Sequence, residues 1–191
     1  MLRINQSFLD FAEALYDGQG NKEDIVLKKY AKGDLLLVQD TVPNKVLIIK
    51  SGITKCYFSE NNEKEYIFEF LGKGEIVGEI EIFRKKKCMC SIEAMTEVWA
   101  FAFSIDIFKN LLEKNSQLKD LLLDSFAERI YLTGRRASYQ QLYAADYSLS
   151  RLLELLKQEQ IQLTKEEMAS YLGISVRSLN RSLKSIKSLE E

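Results

Sequence analysis

Six residues near the end of the chain have types and spacing suited to reading nucleic acid: Val176, Arg177, Asn180, Arg181, Lys184 and Lys187. On a helix, Arg177, Arg181 and Lys184 fall at i, i+4 and i+7 and share a face, with Asn180 beside them. Arginine offers paired donors that match guanine, asparagine matches adenine, and valine can touch a thymine methyl. Lys184 and Lys187 would neutralise phosphates. Residues 175–187 contain four basic residues and no acidic one. Leu179, Leu183 and Ile186 recur on the opposite side and would pack inward. The plainer alternative is a solvated amphipathic helix at the end of a globular domain.

The elements around this helix favour the nucleic-acid reading. Thr164 and Glu167 have the spacing of a capping box. Met168, Tyr171 and Leu172 give the preceding helix an apolar face, and Gly173 follows where a tight turn needs positive φ. Ser175 can cap the second helix. The pattern is a helix-turn-helix. Residues 148–158 predict another helix, with Leu149, Leu152, Leu153, Leu155 and Leu156 mostly inward. Residues 116–143 predict a long helix with Leu118, Leu122, Phe126, Ile130 and Ala137 near one stripe. A small barrel cannot cover a helix of that length, so the same helix of a second copy is the simplest partner. Gly134, Arg135 and Arg136 interrupt the stripe and mark a hinge or a fray.

The first half of the chain has a different period. Residues 7–16 predict a short helix. Short apolar segments follow at 25–30, 35–39, 46–49, 53–58, 64–71, 75–77 and 90–103, separated by turn residues such as Gly33-Asp34, Pro43-Asn44, Ser51-Gly52 and Asn61-Asn62. Such spacing reads as an all-β barrel or sandwich. Residues 105–112 return to helix.

Composition narrows the chemistry. The chain has 191 residues, 46% of them hydrophobic, and a net charge of -1. The basic character is therefore local to the last helix, and total charge neither supports nor excludes DNA. No apolar run has bilayer length and the first residues lack a signal-peptide core, so a cytoplasmic location is expected. The absence of histidine removes Ser-His-Asp and Cys-His catalysis and the commonest nitrogen metal ligand. Three cysteines do not make a disulfide framework. Cys88 and Cys90 would share one side of a strand and are candidates for redox sensing, although buried apolar cysteine is the plainer reading.

Residues 72–83 read Gly-Lys-Gly-Glu-Ile-Val-Gly-Glu-Ile-Glu-Ile-Phe. This Gly-x-Gly-x-x-x-Gly-Glu pattern, followed by a helix-turn-helix, resembles the Crp-Fnr family of bacterial transcription regulators over about residues 25–186. The resemblance implies an α+β fold. It would comprise an N-terminal double-stranded β-helix (β-roll), a long dimerisation helix and a C-terminal helical helix-turn-helix domain. The boundaries implied are 1–115, 116–144 and 145–191. In members that bind cyclic AMP, a Gly-Glu pair precedes an arginine: the glutamate bonds the ribose and the arginine pairs the cyclic phosphate. Gly78 and Glu79 match the pair. The arginine column falls within Cys88 to Cys90, which reads Cys-Met-Cys, and Glu81 adds a carboxylate where a small or apolar residue is usual. Lys85, Lys86 and Lys87 are nearby but read as a solvated face. Gly78, Glu79, Cys88 and Cys90 are thus the candidate effector-binding residues, with cyclic AMP not expected to bind.

The recognition pattern of the best-known members, Arg-Glu-x-x-x-Arg, matches only at Arg181, so a different operator is implied. The family's β-hairpin wing is expected to be short or absent, since the sequence reaches only Glu191. The resemblance implies double-stranded DNA, a second copy of the chain and RNA polymerase as partners, with no catalytic residue, metal or cofactor. Two rivals remain. One is an effector module whose helix-turn-helix contacts protein rather than DNA. The other is a cupin-like enzyme, which would need barrel histidines that this chain lacks.

Overall fold

The computed structural model describes residues 2–20, 24–61 and 64–190, with side chains described as far as residue 186. Among the described residues, nine strands lie in two sheets. They are β1 (Leu2–Arg3), β2 (Ile25–Tyr30), β3 (Leu35–Leu37), β4 (Lys45–Ser51), β5 (Thr54–Ser59), β6 (Glu65–Leu71), β7 (Ile76–Val77), β8 (Ser91–Ala94) and β9 (Val98–Ser104). One sheet runs β1-β6-β5-β8-β3 and the other β2-β9-β4-β7. Only the β1–β6 pair is parallel among the described strands.

The central strands look apolar throughout because both of their faces are covered. In β4, Leu47 and Ile49 face the inter-sheet core, while Val46 and Ile48 face a helical layer. In β9, Val98, Ala100 and Ala102 face inward, and Phe101 and Phe103 face the helices. Alternation is present in geometry but invisible in residue type.

That helical layer consists of α1 (Gln6–Gly18), α3 (Ile105–Lys114) and the first turns of α4 (Ser116–Leu142). Asn5, Ser104 and Asn115 cap these helices by accepting from the backbone N–H of Phe8, Ile107 and Leu118. The outer face of the other sheet, through Tyr57, Ile67 and Phe70, packs on α5 (Ala145–Gln158) and α6 (Lys165–Leu172). Leu149, Ala169 and Leu179 form the small core that joins α5, α6 and α7 (Val176–Glu190). The α+β fold, β-roll first and helices last, is as the sequence implied.

Several local expectations change. The 90–103 run is split into β8 and β9, because Met95 turns back with its N–H on Ile53 O. A short helix, α2 (Glu79–Arg84), occupies part of the stretch between the 75–77 and 90–103 runs. Helix α4 passes through Gly134 without a break, since nothing crowds that residue and its backbone bonds continue. The Leu118–Ala137 stripe is not one surface. Leu118 and Leu122 are buried within their own chain, whereas Leu123 is 67% and Ile130 74% exposed. Strands β5 and β6 pair antiparallel as the Asn61-Asn62 turn implies, though Asn62 lies outside the described residues.

Candidate functional site

The β-roll encloses a cavity of about 330 Å³ at the start of α2, closed on one side by α4. Gly78 adopts φ +89° and lets the chain turn from β7 into α2. A Cβ there would sit 2.7 Å from the Lys45 carbonyl oxygen, so the position needs glycine. The turn places Glu79 with no solvent exposure and aims Glu81 at the cavity.

Arg129 reaches in from α4. Its guanidinium donates to Glu79 Oε1, to Ile76 O at 2.6 Å and to Glu75 Oε2 at 3.3 Å. Arg3, on β1, pairs with Glu69 at 2.8 Å and Glu75 at 3.2 Å. Two guanidinium groups and three carboxylates thus form one buried chain of charge. Burial pushes the Glu79 carboxyl above the ordinary glutamate value, and Arg129 offsets this only in part. Burial also raises Glu69 against the pull of Arg3. Glu79 Oε2, Arg3 Nε and Nη1, and Arg129 Nε have no hydrogen-bond partner among the described residues.

The four candidate effector residues are not all brought together. Gly78, Glu79 and Cys90 line the cavity, as does Met89. Cys88 is buried but lines a separate, outer cavity with Lys85, Lys86 and Lys87, whose side chains are exposed. Neither cysteine lies within a strand, because β8 begins at Ser91, so the shared-strand reading of Cys88 and Cys90 does not hold. The close pair is instead Cys56 and Cys90, with sulfurs 2.9 Å apart. Contact with Cys90, together with burial, pushes the Cys56 thiol well above its usual value. Glu81 Oε1 accepts the Met89 N–H at 3.2 Å, so a carboxylate of the chain itself holds that donor.

Arg129, Arg3, Glu69 and Glu75 were not recognised from sequence. A signal existed for two of them: Glu69 interrupts the apolar run Ile67-Phe68-Glu69-Phe70-Leu71, and Arg129 sits between Phe126 and Ile130 on a helix. A charge inside an apolar pattern asks for a buried partner.

At the other end of the chain, the capping box is formed in both directions: Glu167 N–H donates to Thr164 Oγ1 at 3.1 Å, and Thr164 N–H donates to Glu167 Oε2 at 2.9 Å. Gly173 has φ +68°, and Ser175 Oγ accepts the Ser178 N–H at 3.1 Å. These caps set the two helices of the helix-turn-helix. Arg177, Arg181 and Lys184 are exposed on α7, with Asn180 half-buried beside them. Val176 is half-buried and packs against the core around Leu179, not on the exposed basic face. The Lys187 side chain lies outside the described residues.

The family description "Cyclic nucleotide-binding domain" matches residues 27–115. Over most of its length the chain is similar to curated regulators. The cAMP-activated global transcriptional regulator CRP of Salmonella typhimurium is 22% identical over 172 residues, covering 84% of this chain and 82% of that protein. These likenesses support a regulator of the Crp-Fnr type. Vfr of Pseudomonas aeruginosa, also a cAMP-activated global transcriptional regulator, is 24% identical, covering 82% of this chain and 79% of Vfr. Among solved structures, the c-di-GMP responsive regulator CLP of Xanthomonas campestris superposes with a TM-score of 0.76 at 18% identity, covering 87% of this chain and 88% of CLP. A structure from Eubacterium rectale assigned to the same family gives 0.76 at 17% identity, covering 91% and 86%. The matched residues include Gly78, Glu79, Glu81, Cys56 and Cys90 of the cavity described above, while Arg3, Arg129 and Thr133 reach it from outside the matched segment.

Proposed function

We propose that the chain is a homodimeric regulator that reads a two-fold operator through α7. Residues 1–115 act as the effector-type domain, 116–144 as the dimerisation helix and 145–191 as the DNA-binding domain. The observation that carries this reading is the exposed basic face of α7, set by a capped helix-turn-helix. Arg177, Asn180 and Arg181 contact bases, and Lys184 and Lys187 anchor phosphates. Val176 contributes to base contact only through the edge its packing leaves free. Dimerisation rests on exposed Leu123 and Ile130, which continue to Ala137 at heptad spacing, with exposed Ala127 and Gly134 between them. Small residues in such a seam let two helices approach closely. A symmetric pair would set the two recognition helices about 34 Å apart, one turn of DNA.

Selection from a random duplex pool, followed by anisotropy titrations at several salt concentrations, tests this. A two-fold sequence with half-sites one turn apart is expected, with affinity falling steeply with salt. Arg181→Ala should lose about 1–3 kcal/mol of discrimination at one base of each half-site. Lys184→Ala should weaken all sequences equally and reduce the salt slope by about 1. Absence of salt-sensitive DNA affinity would overturn the reading and leave the helix-turn-helix as a protein-contact surface.

Cyclic AMP is not the effector in this reading. Residues 88–90 supply no guanidinium, the nearby lysines face the outer cavity, and Glu69, Glu79 and Glu81 line the inner one. A cyclic phosphate would meet these carboxylates, and the two guanidinium groups of the cavity, Arg3 and Arg129, are already paired with Glu69, Glu75 and Glu79. Calorimetric titration should give no saturable heat with cyclic AMP or cyclic GMP at millimolar ligand. Clear saturation would overturn this part.

A further inference from the structure

We infer that Cys56 and Cys90 are a closely paired dithiol in the wall of the β-roll cavity, and that a peroxide entering the cavity closes them to an intramolecular disulfide. Their sulfurs are already 2.9 Å apart. A disulfide bond is about 2.04 Å long, so closure needs a movement of only about 1 Å. The backbone supports that movement. Cys56 lies on β5 opposite Ile92 of β8, and Cys90 stands two residues before Ile92 on the same face. The hydrogen-bonded ladder therefore fixes the register of Cys56 against β8, while Cys90 sits in the bend just before β8, outside the ladder.

Access comes from the cavity. Both thiols are more than nine-tenths buried, yet both line this space, so a molecule the size of hydrogen peroxide reaches them without unfolding. Cys88 is not the partner that its position in the sequence suggests. It lines the outer cavity, and its backbone N–H is held by Thr41 O at 2.8 Å.

The chemistry balances with hydrogen peroxide as the oxidant. One cysteine, as its thiolate, attacks a peroxide oxygen. The O–O bond breaks, the leaving hydroxide takes up a proton to become water, and the sulfur becomes a sulfenic acid. The second sulfur attacks the sulfenic sulfur, the S–O bond breaks, and a second water leaves. The two thiols lose two electrons and two protons, and the peroxide is reduced to two waters. The new bond ties β5 to the segment between α2 and β8, the part of the cavity wall that belongs to neither sheet and whose Met89 N–H is held by Glu81.

The test uses the full chain, native and without substitution. It is treated with hydrogen peroxide, denatured in an alkylating reagent, digested and mapped by mass spectrometry. The expected result is a linked Cys56–Cys90 peptide with a mass two hydrogens below the sum of its two reduced peptides, one alkylated thiol at Cys88, and full reversal of the link by dithiothreitol. Cys88→Ala should close at the wild-type rate, and Cys56→Ala or Cys90→Ala should not close. A bond that involves Cys88, a bond between chains, or three freely alkylated thiols would overturn the inference. Oxidation of Met89, which is 47% exposed, serves as the control that peroxide was sufficient. Mapping of the unsubstituted chain keeps the result independent of whether any cysteine variant folds.

Discussion

Lys55 Nζ lies 2.9 Å from Glu167 Oε1, so a nearly buried ammonium on β5 grips the capping-box glutamate of α6. Glu93 on β8 holds the same ammonium at 3.3 Å. Burial pushes the Glu167 carboxyl up, but the bonds from Lys55 and Thr164 outweigh it and hold the group below the ordinary glutamate value. Its contribution to stability is therefore complete above the unfolded glutamate pKa and is lost as pH falls through the lower folded value. Glu167→Gln should cost about 1–2 kcal/mol at neutral pH, since Lys55 keeps Glu93. Chemical denaturation across pH should show the difference from wild type shrinking below about pH 4. A constant difference would refute the pairing.

Arg129→Met should be far more damaging. It strands Glu79, which is fully buried, and leaving one buried charge unpaired costs about 3–5 kcal/mol. The pH dependence should have the opposite sign to that of Glu167. A carboxyl whose folded pKa is raised binds its proton more readily in the folded state. The variant should then lose stability as pH rises from the ordinary glutamate value through the raised one. Adding Glu79→Leu should recover most of the loss, because the charge is gone along with its partner. Urea midpoints at about pH 5 and pH 8 decide this.

Gly78→Ala should destabilise by about 1–3 kcal/mol, because the positive φ and the Lys45 carbonyl both oppose a Cβ. Thermal unfolding of the purified variant gives the value. A neutral result would mean that the β7–α2 turn rearranges at little cost.

Leu123→Glu should abolish self-association while leaving the β-roll folded. Leu123 is 67% exposed and takes no part in the cavity. Sedimentation velocity should report a monomer with wild-type circular dichroism. A persistent dimer would place the seam elsewhere.

The parts of this protein that were legible in the sequence are those governed by local rules. The capping box at Thr164 and Glu167, the turn at Gly173 and the cap at Ser175 each depend on a few adjacent residues, and each is formed. The strand segments were visible through their turn residues. Residues whose role depends on distant contacts were harder to place. Nothing near Arg129 announces Glu79, fifty positions away, and nothing near Cys56 announces Cys90. Val176 and the Leu118 stripe show a related difficulty: helical periodicity groups residues by angle, but which angle meets another element is settled by the whole fold. The Cys88–Cys90 spacing misled because the strand that it presupposed starts one residue later.

The face of α4 that carries Arg129 also carries Thr133 and Arg136. Arg129 and Thr133 line the cavity, and Arg136 donates to Ile67 O of β6 at 2.9 Å and to Tyr171 O of α6 at 2.6 Å. Seven helical residues span about 10 Å, and no loop lies between them. The helix is therefore a single spindle with two bearings, one on Glu79 in the cavity wall and one on the backbone of β6 and α6.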